Sequence, residues 1–208
     1  MKPLLICDCD EVLLHMVRHF GSWLDEAHAI DFSMAGGDFA SSMRRRADGS
    51  TLAPEEMRTM LDGFFPDEMA RQTLVPHARE ALAVLAQTAE IVILTNLRDH
   101  CREHRVAQLS THGIAHRVDC NQGGKGAPVA ALVAEFAPPV TVFVDDLAVH
   151  HASVAQHAPE VYRLHMVAEP DLARHVPAAA DAHARIDDWR EARDWISDRF
   201  AQGVPAGA

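Results

Sequence analysis

Apolar residues gather along this chain in short unbroken blocks, and between the blocks they return every three or four positions. Residues 4–7, 91–94 and 141–144 are apolar runs of strand length rich in aliphatic and β-branched residues, 161–166 is a weaker one, and a further short strand is expected at 117–119. Helical spacing lies between them: 77–87 behind Pro76, 98–111 stopped by Gly113, 127–136 ending before Pro138 and Pro139, and 147–157 ahead of Pro159. Strands alternating with helices predict a parallel sheet with helices on both faces. Such strands are buried on both sides, which explains why they lack polar alternation.

The rhythm breaks between residues 14 and 74, where no strand is predicted. Phe20, Trp23, Leu24 and Ala27 share one helical face, and residues 54–64 read as a second helix with Met57, Met60, Leu61 and Phe64 turned inward. Between them "AGGDFASSMRRRADGS" carries the glycines and serines of a loop. The pattern therefore predicts a core built from residues 1–13 and 75–200, a small helical insertion over 14–74, and a frayed tail over 201–208.

Composition narrows the class. With 208 residues, 48% of them hydrophobic, the chain can bury a sizeable core as one domain with a small appendage. Thirty acidic against nineteen basic residues give a formal charge of −11, and Arg44-Arg45-Arg46 is the one basic block. No nucleic-acid polymer is expected as a partner. Cys7, Cys9, Cys101 and Cys120 show no C-x-x-C spacing. On a strand Cys7 and Cys9 share the face opposite Asp8, so they read as packed, reduced thiols of a cytoplasmic protein. No stretch approaches the about 18 apolar residues of a membrane span, and the N-terminus lacks the apolar region of a signal peptide. Neither a membrane nor export is expected.

Chemistry enters at the strand ends. In an open parallel sheet ligands sit outside the carboxyl ends of the strands. Asp8 and Asp10 follow the first strand, Thr95 and Asn96 the second, Asp145 and Asp146 the run at 141–144. Lys125, in "GGKGAPVAALV", opens a helix beside glycines that let a ligand come close. Several carboxylates in one place repel unless a cation lies among them, and oxygen ligands suit a hard ion such as Mg²⁺ with a substrate phosphate. An aspartate there can act as a nucleophile, and a second carboxyl two residues on can give and take the proton.

These motifs, in this order, resemble those of the haloacid dehalogenase-like (HAD) hydrolases. "ICDCDEVLL" is similar to their first motif, "VILTN" to the second, "GGKGAPVAAL" to the third and "VFVDDLAVH" to the fourth. The resemblance implies a Rossmann-like three-layer α/β fold with a central parallel sheet, and a helical cap inserted after the first strand. It implies Asp8 as nucleophile and Mg²⁺ ligand, and Asp10 as general acid/base that also meets the metal through its carbonyl. Thr95 and the amide of Asn96 would bind the phosphoryl group, and Lys125 would neutralise it together with Asp8. Asp146, with Asp145 as ligand or partner through water, would complete the Mg²⁺ site. The expected function is a Mg²⁺-dependent phosphatase acting on a small phosphorylated metabolite through an aspartyl-phosphate. A phosphomutase, a 2-haloacid dehalogenase and a non-catalytic binding module are the alternatives. Two residues depart from the pattern: Glu11 stands where the family often has glycine, and His150 where it often has Asp or Asn, four residues beyond Asp146 on the same expected helical face, from which it could orient that aspartate. His15, Arg18, His19, Arg44 to Arg46 and Arg98 are candidates for holding an anionic leaving group. The sequence leaves oligomeric state open.

Overall fold

Burial decides where the strands form. The computed structural model describes residues 1–34, 41–65 and 67–207. Strand β1 (Leu4–Cys7) is followed by β2 (Leu14–His15), helix α1 (Val17–His28), and strands β3 (Ile30–Phe32) and β4 (Met43–Arg45). Helix α2 (Pro54–Phe64) and β5 (Thr73–Leu74) lead to α3 (Ala78–Leu85). Strand and helix then alternate through β6 (Glu90–Thr95), α4 (Arg102–Thr111), β7 (Arg117–Cys120), α5 (Gly126–Phe136), β8 (Thr141–Asp145), α6 (Ala148–His157) and β9 (Tyr162–His165). Helix α7 (Pro170–Ala173), β10 (Ala184–Arg185) and α8 (Trp189–Gln202) complete the described chain.

Six strands form one sheet in the order β10-β9-β8-β1-β6-β7, and every pairing is parallel. The two-residue period of a strand sorts its side chains. Leu5 and Cys7 join the cluster under α3, α4 and α8, while Leu4 and Ile6 join the cluster under α5 and α6. The result is a three-layer α/β fold with a Rossmann-like parallel sheet. From β1 the chain moves out to β6 and β7, then returns past β1 to β8, which makes the β1–β8 boundary the switch point where such folds hold ligands. Helices α5 and α6 come close enough there that a Cβ on Gly126 would lie 2.2 Å from the Ser153 carbonyl oxygen, so this packing requires glycine.

The segment between β1 and α3 has its own apolar cluster. Phe20, Trp23 and Leu24 of α1 meet Met57 and Phe64 of α2, with Phe20 and Phe64 edge to face at 5.4 Å. The segment is not purely helical: β3 pairs with β4, and β2 with β5, both antiparallel. Strands of two or three residues show too little alternation to stand out in sequence. Part of the expected loop, residues 43–45, is therefore strand, and its residues 35–40 lie outside the described residues. The tail also differs from expectation. Helix α8 runs through Gln202, and the Ala206 amide donates to the Glu160 carbonyl at 2.9 Å, fastening residues expected to fray; Ala208 lies outside the described residues. No helix among the described residues is long and apolar enough to cross a membrane.

Candidate active site

Three strand ends bring the predicted side chains together. β1 lies between β6 and β8, with Cys7 level with Ile93 on one side and Val144 on the other. The Asp8 amide donates to the Val144 carbonyl at 2.9 Å, which carries Asp8 to the edge where β8 ends in Asp145 and β6 in Thr95. Lys125 immediately precedes α5 and is wholly buried. Its Nζ stands 2.6 Å from Asp8 Oδ1 and 2.7 Å from Asp145 Oδ2. The other Asp145 oxygen accepts the Leu147 amide at 2.9 Å. Asp8, Asp145 and Asp146 can each offer an oxygen within 4.8 Å of the others.

Three carboxylates against one ammonium leave an excess of negative charge in a buried place. Burial pushes the Asp8 carboxyl up to about 7, with Asp145 adding to the rise and Lys125 opposing it. Asp146 is raised well above the ordinary aspartate value by burial and by the charges of Asp145 and Asp8. Burial works against the Lys125 ammonium, but the Asp145 and Asp8 carboxylates more than offset it and hold its pKa above the ordinary lysine value. An all-oxygen donor set short of positive charge fits Mg²⁺. Thr95 adds a hydroxyl that is fully buried and has no partner among the described residues, a state usually resolved by a ligand.

Asp10 sits differently from Asp8. Arg105 Nη2 lies 2.9 Å from each of its carboxylate oxygens, and Gln72 Nε2 donates to Oδ1 at 2.6 Å. Arg105 belongs to α4, is wholly buried, and has Phe65 over its guanidinium at 5.6 Å. The sequence reading missed both partners. Arg105 was detectable in principle, since it shares the buried face of α4 with Gln108 and Leu109, where an arginine requires a carboxylate. Asn96 is exposed and turns its side chain to the Gly123 carbonyl at 2.9 Å and to His150 Nε2 at 3.3 Å.

Both departures from the motif pattern have structural accounts. Glu11 adopts a left-handed backbone, φ 59°, the conformation that favours glycine. Its Oε1 accepts the amides of Met16 and Val17 at 2.8 and 2.6 Å, capping α1 from outside the helix, where Met16 itself supplies no cap. His150 Nε2 meets the Asn96 side chain, and Asp146 lies before the start of α6.

Above this edge opens a cleft of about 880 Å³, lined from the core by Asp8, Asp10, Glu11, Asp146 and His150 and from the insertion by Met34, Arg58, Leu61 and Phe65. Arg98 lines it too, paired with Asp62 at 2.7 Å. The other arginine candidates lie elsewhere. Arg18 pairs with Glu169, Arg45 with Glu56, and Arg46 with Asp25 and Asp31; His19 meets the Thr73 hydroxyl. His15 faces Glu169.

Two buried histidines hold the backbone of the acidic pair. His151 Nε2 donates to the Asp145 carbonyl at 3.0 Å, and His165 Nε2 to the Asp146 carbonyl at 2.8 Å, while His165 Nδ1 accepts the Ala179 amide at 3.0 Å. Both rings therefore fit as neutral imidazoles. Burial lowers the His151 pKa from 6.5 to about 4. The folded chain then binds fewer protons than the unfolded one between those values, so this stability is complete above about pH 6.5 and lost as pH falls toward 4, up to about 3 kcal/mol. In His151→Gln, which keeps a donor without a titrating ring, the melting temperature is expected to fall less steeply between pH 7 and 4.5. Equal slopes in scanning calorimetry would count against a buried neutral His151.

No protein-family model matches the sequence, and no curated protein does. Solved structures do match across nearly their whole length. A haloacid dehalogenase-like family hydrolase of Xanthomonas campestris shares 14% identity at a TM-score of 0.61, with 97% of each chain covered. A HAD-superfamily hydrolase of subfamily IA, variant 1, from Geobacter sulfurreducens shares 19% at 0.57, covering 94% of this chain and 96% of that one. The candidate HAD-hydrolase YfnB of Bacillus subtilis, bound to magnesium, shares 12% at 0.63, covering 94% and 98%. With these residues at the switch point of its sheet and these structures alike over both core and insertion, the chain has the fold of the haloacid dehalogenase-like hydrolases.

Proposed function

We propose that the chain is a Mg²⁺-dependent phosphatase of the HAD superfamily that moves the phosphoryl group of a small phosphate monoester onto Asp8 and then to water. The observation that carries this reading is Lys125 held between Asp8 and Asp145 at 2.6 and 2.7 Å, beside the Asp146 carboxylate and the unpartnered Thr95 hydroxyl. Asp8, Asp145, Asp146 and the Asp10 carbonyl are the groups that would hold Mg²⁺. When bound, Mg²⁺ supplies the positive charge that this cluster and a phosphoryl group lack.

The remaining roles belong to side chains. Lys125 fixes one Asp8 oxygen, and the other forms the new bond to phosphorus as the bond to the leaving oxygen breaks. The Thr95 hydroxyl and the Asn96 amide hold phosphoryl oxygens, and the Lys125 ammonium offsets their charge. Asp10 gives a proton to the leaving oxygen and takes one from the water that splits the aspartyl-phosphate. Arg105 from the core and Gln72 from the end of the insertion both grip Asp10, so its orientation responds to how the insertion sits. The cleft has the volume of a small-metabolite site, and Arg58 and Arg98 put cationic groups in its wall.

Release of the alcohol from a chromogenic aryl phosphate, with Mg²⁺ and with EDTA, tests this reading. Turnover that requires Mg²⁺ is the expected result. Turnover indifferent to EDTA would remove the metal from the mechanism. Absence of turnover on a panel of phosphate monoesters, with no rise in melting temperature from Mg²⁺ and a phosphate mimic, would leave no phosphatase.

A further inference from the structure

Glu11, His15 and Glu169 come from three segments that meet where the insertion leaves the core: the turn after β1, strand β2, and the residue before α7. One ligand atom from each lies within 4.8 Å of the others, and all three side chains are more than nine-tenths buried. Buried polar atoms in a folded chain nearly always have hydrogen-bond partners. Here two do not: Glu11 Oε2 and His15 Nδ1 have none among the described residues. The capping bonds to Met16 and Val17 both use Glu11 Oε1, so they leave Oε2 unanswered.

The spacing suggests what is missing. Glu169 Oε2 stands 3.5 Å from His15 Nδ1, beyond an ordinary hydrogen bond. Two ligands held tetrahedrally at zinc's usual nitrogen and oxygen distances lie roughly 3.4 Å apart. The geometry points to a divalent transition-metal site made by Glu11, His15 and Glu169, separate from the Asp8, Asp145 and Asp146 carboxylates. One imidazole with two carboxylates suits Zn²⁺, Co²⁺ or Mn²⁺ better than Mg²⁺. Entry is available from two sides, because Glu11 lines the large cleft and Glu169 lines a second cleft of about 430 Å³. The ion would tie the start of the insertion to the core on both flanks. This site does not depend on the phosphatase reading.

One cation already competes for it. Arg18 Nε lies 2.5 Å from Glu169 Oε2, and the arginine side chain is 47% exposed, so it can swing into water when a metal arrives. Arg18 gives the test its direction. The full chain is dialysed to equilibrium against Co²⁺ in excess Mg²⁺, with bound metal counted and its visible spectrum recorded, and Zn²⁺ used to displace it. One equivalent with nitrogen and oxygen ligation is expected. Its affinity should fall by about tenfold or more in His15→Gln and Glu169→Gln, and rise by about fivefold in Arg18→Gln, which removes an exposed competing charge. Should the buried substitutions fail to fold, Arg18→Gln keeps all three ligands and still decides. No bound equivalent, a thiolate band, binding that survives both ligand substitutions, or affinity indifferent to Arg18→Gln would each overturn the site. Since no turnover is measured, these results are independent of whether the chain hydrolyses phosphate esters.

Discussion

Asp8→Asn is expected to reduce phosphate-ester turnover by roughly 10⁴-fold or more, the scale of losing a nucleophile that acts within a cooperating set. The amide has nearly the shape of the carboxylate, so the β1 end and its amide bond to the Val144 carbonyl are kept. What it removes is one negative charge from a buried cluster in which burial already holds the Asp8 and Asp146 carboxyls above their ordinary pKa values. In EDTA the variant should therefore melt no lower than the parent chain, and Mg²⁺ should raise its melting temperature less. Loss of activity without loss of stability is the signature of a group whose charge serves chemistry and not the fold. Retention of a tenth or more of the parent rate would exclude Asp8 as nucleophile.

Lys125→Met should instead injure the fold. Among the described residues the ammonium is the single cation in contact with both Asp8 and Asp145, and all three groups are buried. Removing one partner of a buried ion pair leaves uncompensated charge, at about 3–5 kcal/mol. For a chain of this length that is a drop of about 6–20 °C in melting temperature. The deficit has a pH sign. Without Lys125 to oppose burial, the Asp8 carboxyl is raised further in the folded state, which then binds more protons than the unfolded chain. Stability therefore returns as pH falls toward 5 and is lost as it rises. Adding Asp8→Asn to Lys125→Met should recover part of the loss, since the substitutions share one interaction. A melting curve for Lys125→Met that matches the parent at pH 8 would mean that the lysine neutralises nothing.

Much of this arrangement can be read from the chain because it is local. β1, β6 and β8 carry unbroken apolar runs, β9 is broken by Arg163 and His165, and each polar residue that follows the runs of β1, β6 or β8 lands on one edge once the strands are parallel. Asp8, Thr95, Asp145 and Asp146 are legible for that reason, and Lys125 because it opens a helix. Strands β2, β3, β4, β5 and β10 have two or three residues and exist through their pairings, which no local pattern announces. Helix α8 carries local signals as well: Asp188 caps it by accepting the Arg190 amide, Gly203 ends it at φ 64°, and Trp189, Ala192 and Ile196 repeat at helical spacing. The grip on Asp10 is of another kind. Gln72 and Arg105 lie 62 and 95 residues away in sequence, and only the closed fold brings them to it.

The chain leaves the core and returns to it at nearly one point. Leu14 pairs with Leu74, and the Val75 amide donates to the Leu13 carbonyl at 2.8 Å, so the two ends of a sixty-residue excursion are hydrogen-bonded neighbours. Closing a loop whose ends already touch depends only logarithmically on its length: doubling it adds about 0.6 kcal/mol. Descent can therefore lengthen, shorten or replace the excursion while the parallel sheet and its anionic edge stay as they are. Two short strands act as a socket, allowing the wall that meets the substrate to evolve on a schedule of its own.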